Sequence, residues 1–244
     1  MKKYLIIILV VFAVGTVKAQ SGYGFKPWGL GLGVGYATAY ANVGHPQANP
    51  TFDVSAIYSL IPYFPIALEF QAGQFSGGGL TPALDIYSRK FTNNYKALLI
   101  HEDLHMGAYL DYSSDPFLRV IKNFYGGTGV GVIFNSVKNQ RTGYINDQPV
   151  TYPGSDKSTN VMIPIRVGYE FKIYDFNNAP NLSIDIGFTD NIVFNSGIDG
   201  YNDPNKVFVN SKTIQQYNQV TVGVKMFFGE TKLYNKLIRS YSRY

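Results

Sequence analysis

The chain has no cysteine. That excludes both a disulfide framework and a lipidated N-terminal cysteine. Histidine is nearly as scarce: His45, His101 and His105 are the whole set. A hydrolytic centre built on histidine must draw on these three, and none stands in a convincing pairing with a serine. His45 sits in Gly44-His45-Pro46, a loop-like stretch, and reads as a surface residue. Charged residues make up only 15 % of the chain, and helix-favouring charged runs are correspondingly few. The glycines do not spell G-x-G-x-x-G. Gly29, Gly31, Gly33 and Gly35, like Gly126, Gly127, Gly129 and Gly131, miss that spacing, and no helical pattern follows them, so no dinucleotide cofactor is expected.

A strong charge of one sign is also missing, although the formal net charge is +5. Lys2, Lys3 and Lys18 belong to the N-terminal segment, and Lys232, Lys236, Arg239 and Arg243 to the tail. What remains between them is close to neutral, which argues against a nucleic-acid partner. The N-terminus reads as a signal peptide over residues 1–19. Lys2 and Lys3 form its charged region, Tyr4 to Val14 its apolar stretch, and Val17-Lys18-Ala19 supplies small residues at a cleavage site.

What the chain does have is aromatic residues and alternation. Twenty Tyr and 17 Phe accompany a single Trp. From Trp28 to Tyr40 one set reads Trp28, Leu30, Leu32, Val34, Tyr36, Thr38, Tyr40, and the interleaved set reads Gly29, Gly31, Gly33, Gly35, Ala37, Ala39. A period of two puts the sets on opposite faces of a β-strand. Similar segments predict eight strands, at roughly 28–41, 51–60, 63–75, 94–112, 120–136, 160–174, 180–192 and 216–228. The connections alternate: 42–50 is of medium length; 61–62, 113–119 and 175–179 are short; 76–93, 137–159 and 193–215 are long. Short turns at one end and long loops at the other are the habit of outer-membrane barrels.

Which face is outside follows from what each face carries. One face is almost unbroken aliphatic, as in Val161, Ile163, Ile165, Val167 and in Val220, Val222, Val224, Met226. The other mixes small residues with both signs of charge: Asp53, Glu69, Asp103, Asp111, Arg166, Glu170, Lys172, Asp185 and Lys225. Opposite charges can pair inside a narrow barrel, where alternate glycines leave room for them. Aromatics near strand ends, such as Tyr58, Tyr63, Phe64, Tyr112, Tyr174 and Phe228, suit a membrane interface. The expected fold is therefore all-β: a closed antiparallel up-and-down transmembrane barrel of about eight strands over residues 20–229, in the outer membrane. The alternative with the faces reversed is a secreted soluble ligand-binding barrel.

The pattern resembles the small outer-membrane barrels of the OmpA transmembrane-domain and OmpX type. Asn123-Phe-Tyr-Gly-Gly-Thr-Gly-Val-Gly-Val-Ile-Phe134 and the closing Lys225-Met-Phe-Phe-Gly229 are similar in style to the outer-membrane β-barrel families of Bacteroidota. The resemblance implies a non-enzymatic structural or surface-interaction role through the extracellular loops. A narrow solute or ion channel and a lipid-modifying barrel enzyme are its competitors. Outer-membrane lipid is the expected partner, with an envelope or surface protein possible beside it, and the barrel is expected to be monomeric. Where related barrels often end on the last strand's aromatic, 15 residues follow Gly229 here.

One motif tempts. His101-Glu-Asp-Leu-His105 matches H-E-x-x-H, whose chemistry needs a helix, with both histidines on one face and the glutamate beside the metal-bound water. On a strand, His101, Asp103 and His105 share one face and Glu102 points the other way. These three are the only lumen candidates for a metal, and the simpler expectation is a hydrogen-bond network near the outer end of a long strand. Residues 230–244 read as a basic amphipathic periplasmic tail, with Leu233, Leu237, Ile238 and Tyr241 on one stripe of a helix.

Overall fold

The computed structural model describes residues 23–112, 115–140, 142–145, 148–195, 197–202 and 213–234. The expected signal peptide and the tail beyond Tyr234 lie outside them. In chain order the strands are β1 (Tyr23–Phe25), β2 (Trp28–Tyr40), β3 (Pro46–Ile61), β4 (Phe64–Gly78), β5 (Lys90–His105), β6 (Phe124–Asn139), β7 (Thr142–Ile145), β8 (Gln148–Thr151), β9 (Lys157–Tyr174), β10 (Pro180–Phe194), β11 (Ile214–Phe228) and β12 (Lys232–Tyr234). The eight long strands close into one barrel in the order β2-β3-β4-β5-β6-β9-β10-β11, with β11 pairing back onto β2. Every neighbouring pair is antiparallel.

The barrel is staggered. One row of paired residues runs Trp28, Tyr58, Ile66, Glu102, Thr128, Ile165, Asp190, Asn218 and returns to the first strand at Thr38, ten residues beyond its start. Such a stagger tilts the strands and sets how narrow the interior is. Each β2 glycine faces that interior. Gly35 is the tightest: a Cβ there would lie 1.9 Å from the carbonyl oxygen of Val220.

The apolar face is outside. Leu32 and Val34 are 66 % and 67 % exposed, and Val220, Val222, Val224, Val161, Ile165 and Val167 are exposed with them. This settles the orientation against a soluble barrel, whose aliphatic face would be buried. The paired β1 and β12 lie at the same end as the short connections 62–63 and 175–179, the end that is periplasmic in outer-membrane barrels. Trp28 and Tyr58 rings are 4.6 Å apart there, as are Phe124 and Tyr169, and Tyr169 and Phe171, forming an aromatic girdle.

Several boundaries differ from the sequence expectation. The third strand begins at Pro46 rather than near 51, and a register irregularity between Gln47 and Thr51 accommodates Pro50, which has no N–H to give the ladder. The fourth barrel strand stops at His105 instead of running to Tyr112. A 3₁₀ turn (Met106–Ala108) and a short helix α1 (Pro116–Ile121) follow it. Gly107 packs against Tyr63, and its amide donates to Lys122 O at 2.8 Å, turning the chain inward under the barrel. Asp115 caps α1 by accepting from the amides of Phe117 and Leu118. The periplasmic connection expected as a short turn is therefore a structured segment. Tyr63 and Tyr112, expected at the lipid interface, are buried in it, and their hydroxyls bond to each other. Residues 232–234, expected at the start of a helix, pair instead as a strand with 23–25, while Leu237, Ile238 and Tyr241 lie outside the described residues.

Candidate functional site: a lumen filled from both ends

The alternation that sends Leu30 and Val220 outward sends their neighbours into the lumen. Its periplasmic half holds five carboxylates, Asp53, Glu69, Asp103, Glu170 and Asp185. Facing them are Arg166, Lys172 and Lys225, with His101 and His105 the further groups there able to carry positive charge.

Two clusters result. In the first, Arg166 spans Asp103 (Nε to Oδ1, 3.2 Å) and Glu69 (Nη1 to Oε2, 3.4 Å). His101 reaches Glu69 through Nε2 at 3.1 Å, with Nδ1 3.4 Å from Asp103. Gln71 donates to Glu69 Oε1 at 2.7 Å. In the second, Lys225 contacts Glu170 at 2.5 Å and Asp185 at 3.2 Å, and Lys172 contacts Glu170 at 3.4 Å. His105 Nε2 lies 3.1 Å from Glu170 Oε2 without the alignment of a hydrogen bond. Tyr125 donates to Asp185 at 3.2 Å. Asp53 lines the small space between the clusters, opposite Gly33, where a Cβ would come within 2.5 Å of its carboxylate. The cavity left among these side chains is about 30 Å³, some two to three times the roughly 10–15 Å³ that a single buried water needs.

Sequence and structure diverge at Asp111, which lies beyond the end of β5 in the periplasmic connection and not on a lumen wall. Glu102 does face away from His101 and His105 and is exposed on the outer wall. The motif lies at the periplasmic end of β5, not the outer end, because the strand runs downward from Lys90. Among the described residues no group of three or more His, Asp or Glu side chains is arranged to hold a metal ion.

The extracellular half of the lumen went unread in the sequence. It is packed with Phe75, Tyr95, Tyr217, Leu99, Ile133, Met162, Tyr152, Ile198 and Tyr201, all buried. Phe75 and Tyr95 stack with centroids 4.0 Å apart, and Tyr217 closes against both. Ile198 and Tyr201 belong to residues 197–202 of the connection after β10, which fold down into the mouth. Gln215 Oε1 accepts from the amides of Gly197 and Ile198, and Asn93 donates to Ile198 O at 2.8 Å. Asp199 accepts from the Asn42 amide at 2.8 Å.

A second clasp holds the loop between β4 and β5. Arg89, 2 % exposed, binds Asp85 (Nε to Oδ1, 3.1 Å) and donates to Asn42 O at 2.8 Å. Burial works to raise the Asp85 carboxyl, but hydrogen bonds from the Arg89 side chain and from the amides of Gly44 and Arg89 outweigh it and hold it below the usual range. A carboxylate depressed in the folded state contributes stability above its unfolded value near 3.8, which is lost as pH falls below that value. The amides of Gly44 and Arg89 should therefore lose hydrogen-exchange protection as the pH drops from about 4 toward 2, while barrel amides such as Val222 keep theirs. Uniform protection across that range would mean that the clasp does not depend on Asp85. No sequence pattern pointed to Arg89, Asp85 or Asp199: Asp85 and Arg89 pair across four residues of a loop, and the backbone that the three side chains clasp, at Asn42 and Gly44, is distant in the chain.

At the periplasmic mouth, Lys26 pairs with Asp175 at 2.8 Å, and this hydrogen bond lowers the Asp175 carboxyl. Lys122, tucked beside the rings of Tyr112 and Tyr174, is lowered to about 8, first by burial and then by Lys172 and Arg119.

Closed antiparallel strands satisfy every neighbour's backbone, and the apolar residues face outward. This is the construction that lets β-structure cross a bilayer. The protein is a small eight-stranded barrel of the outer membrane. No family model matches the chain, and no curated protein matches it. Among solved structures it is similar to Neisserial surface protein A, with 13 % identity, 82 % of this chain and 97 % of that one covered, and a TM-score of 0.45. It is similar to Ail, the attachment invasion locus protein of Yersinia pestis, with 11 % identity, 84 % and 99 % covered, and a TM-score of 0.42. CarO of Acinetobacter baumannii matches at 11 % identity, 80 % and 97 % covered, and a TM-score of 0.41.

Proposed function

We propose that this protein is a non-enzymatic outer-membrane barrel whose lumen is closed to solutes and whose loop between β4 and β5 presents a fixed extracellular interaction surface. The observation that carries the reading is the filling of the lumen by an aromatic plug above and two ionic clusters below, with a cavity of only about 30 Å³ among the charged side chains. A solute path needs a continuous opening, and such packing resists one. The clasps at Arg89 and Asp199 hold the loops in shape, so that Leu80, Leu84 and Ile86 are presented on an ordered surface. Against a zinc-hydrolase reading, Glu102 of the H-E-x-x-H sequence is on the other side of the wall from His101 and His105.

Planar-bilayer recording tests this. Purified protein is expected to give no conductance steps above background, and Arg166→Ala is expected to stay equally silent because the aromatic plug remains. Steady single-channel openings in the wild type would favour the channel reading instead.

A further inference from the structure

The outward-facing cations of the barrel wall are not scattered. Among the described residues they are Lys90 and Lys96 on β5, Lys138 on β6 and Lys157 on β9, all exposed on the lipid-facing side. Those three strands are consecutive neighbours in the barrel. The outer faces of β10, β11, β2, β3 and β4 carry no lysine or arginine among the described residues. All four lysines also lie in the extracellular half: Lys90 and Lys157 open their strands, and Lys138 is the last but one residue of its own.

The register brings them together. Lys138 pairs with Thr92, two residues from Lys90, and Lys157 pairs with Ser136, two residues from Lys138. Both lysine pairs are thus diagonal neighbours on one face, roughly 7–8 Å apart. Lys96 lies lower, opposite Ala72 and Phe134, where its stem can run up the wall and bring the ammonium toward the same level. None of the four makes an ion pair among the described residues. Like charges this close repel unless an anion sits between them, and here they stand where the apolar belt ends and the outer-leaflet headgroups begin.

We propose that Lys90, Lys138 and Lys157, supported by Lys96, form a one-sided docking surface for a phosphorylated lipid headgroup of the outer leaflet. The patch is continuous with the lipid-facing wall, so the acyl chains of such a lipid can lie on Val132, Phe134 and Val161 directly below it. The adjoining Thr92 and Ser136 offer hydroxyls to the headgroup.

The test uses the full chain in phosphatidylcholine nanodiscs with bis-phosphorylated lipid A as the probe, and reads co-retained lipid by native mass spectrometry. Wild type should retain lipid A and not its dephosphorylated form. The Lys90→Gln/Lys138→Gln/Lys157→Gln variant should retain it roughly a hundredfold less well at low salt, from about a fivefold loss per lysine. Heat-modifiable gel mobility reports whether that variant is folded. If it is not, Lys138→Gln alone should show the single-step, roughly fivefold loss. Equal retention by folded variant and wild type, equal binding of dephosphorylated lipid A, or full displacement by millimolar inorganic phosphate would each overturn the proposal.

Discussion

Replacing Arg166 with alanine is expected to lower the unfolding free energy by about 3–5 kcal/mol. The guanidinium holds both Glu69 and Asp103, and all three side chains are nearly inaccessible. Removing it leaves two carboxylates without their shared partner beside a cavity with room for only a few waters. His101 still touches both, but one imidazole cannot replace a planar fork of donors. Arg166→Lys should recover only part of the loss, since a point charge cannot bind both acids in the same way. Combining Arg166→Ala with Glu69→Gln and Asp103→Asn should recover much of it, because the stranded charges are gone. The measurement is urea unfolding in lipid vesicles, followed by the fluorescence of Trp28. A loss below about 1 kcal/mol for the single variant would place the cluster among well-solvated surface pairs.

The second large effect concerns backbone approach. Gly35→Ala places a methyl group 1.9 Å from Val220 O and 2.8 Å from Thr221 Cα, atoms fixed by the β2–β11 ladder that closes the barrel. Overpacking of this kind costs about 1–3 kcal/mol, and more where only backbone can yield. Gly35→Val should leave most of the protein unassembled after refolding. Gly126→Ala is the matched control: its Cβ would meet nothing nearer than Arg166 O at 3.9 Å, so the substitution should be neutral or slightly stabilising. Equal folding yields for Gly35→Val and Gly126→Ala would contradict the register at the closing seam.

Much of this architecture is legible in the residues because a period of two survives into the fold unchanged. Gly29 to Ala39 face inward and Trp28 to Tyr40 outward as the alternation requires, and the disarming of H-E-x-x-H follows from the same rule. The rule misleads where the alternation outlasts the strand. Met106 to Tyr112 still read as strand, but Gly107 is drawn beneath the barrel by Tyr63 and Lys122, contacts that no local pattern announces. Asp115-Pro116 did carry a helix-start signal, an N-cap residue followed by proline, which also fits a turn. The lumen charges are readable as one face but not as pairs, since Arg166 meets Glu69 from 97 residues away. The mouth was the least legible part. Asn42, Asp199 and Gln215 converge only after the barrel has closed, and the loop containing Ile198 looked merely polar and long.

The central claim is that the apolar face of every strand touches lipid while the charged face is enclosed. The natural absence of cysteine makes single-cysteine spin labelling along β11 the most direct test. Labels at positions 220, 222 and 224 should show high accessibility to oxygen and low accessibility to a water-soluble nickel reagent in a bilayer. Labels at 219 and 221 should be shielded from both. The reverse pattern, or nickel accessibility at 220, 222 and 224, would contradict the account.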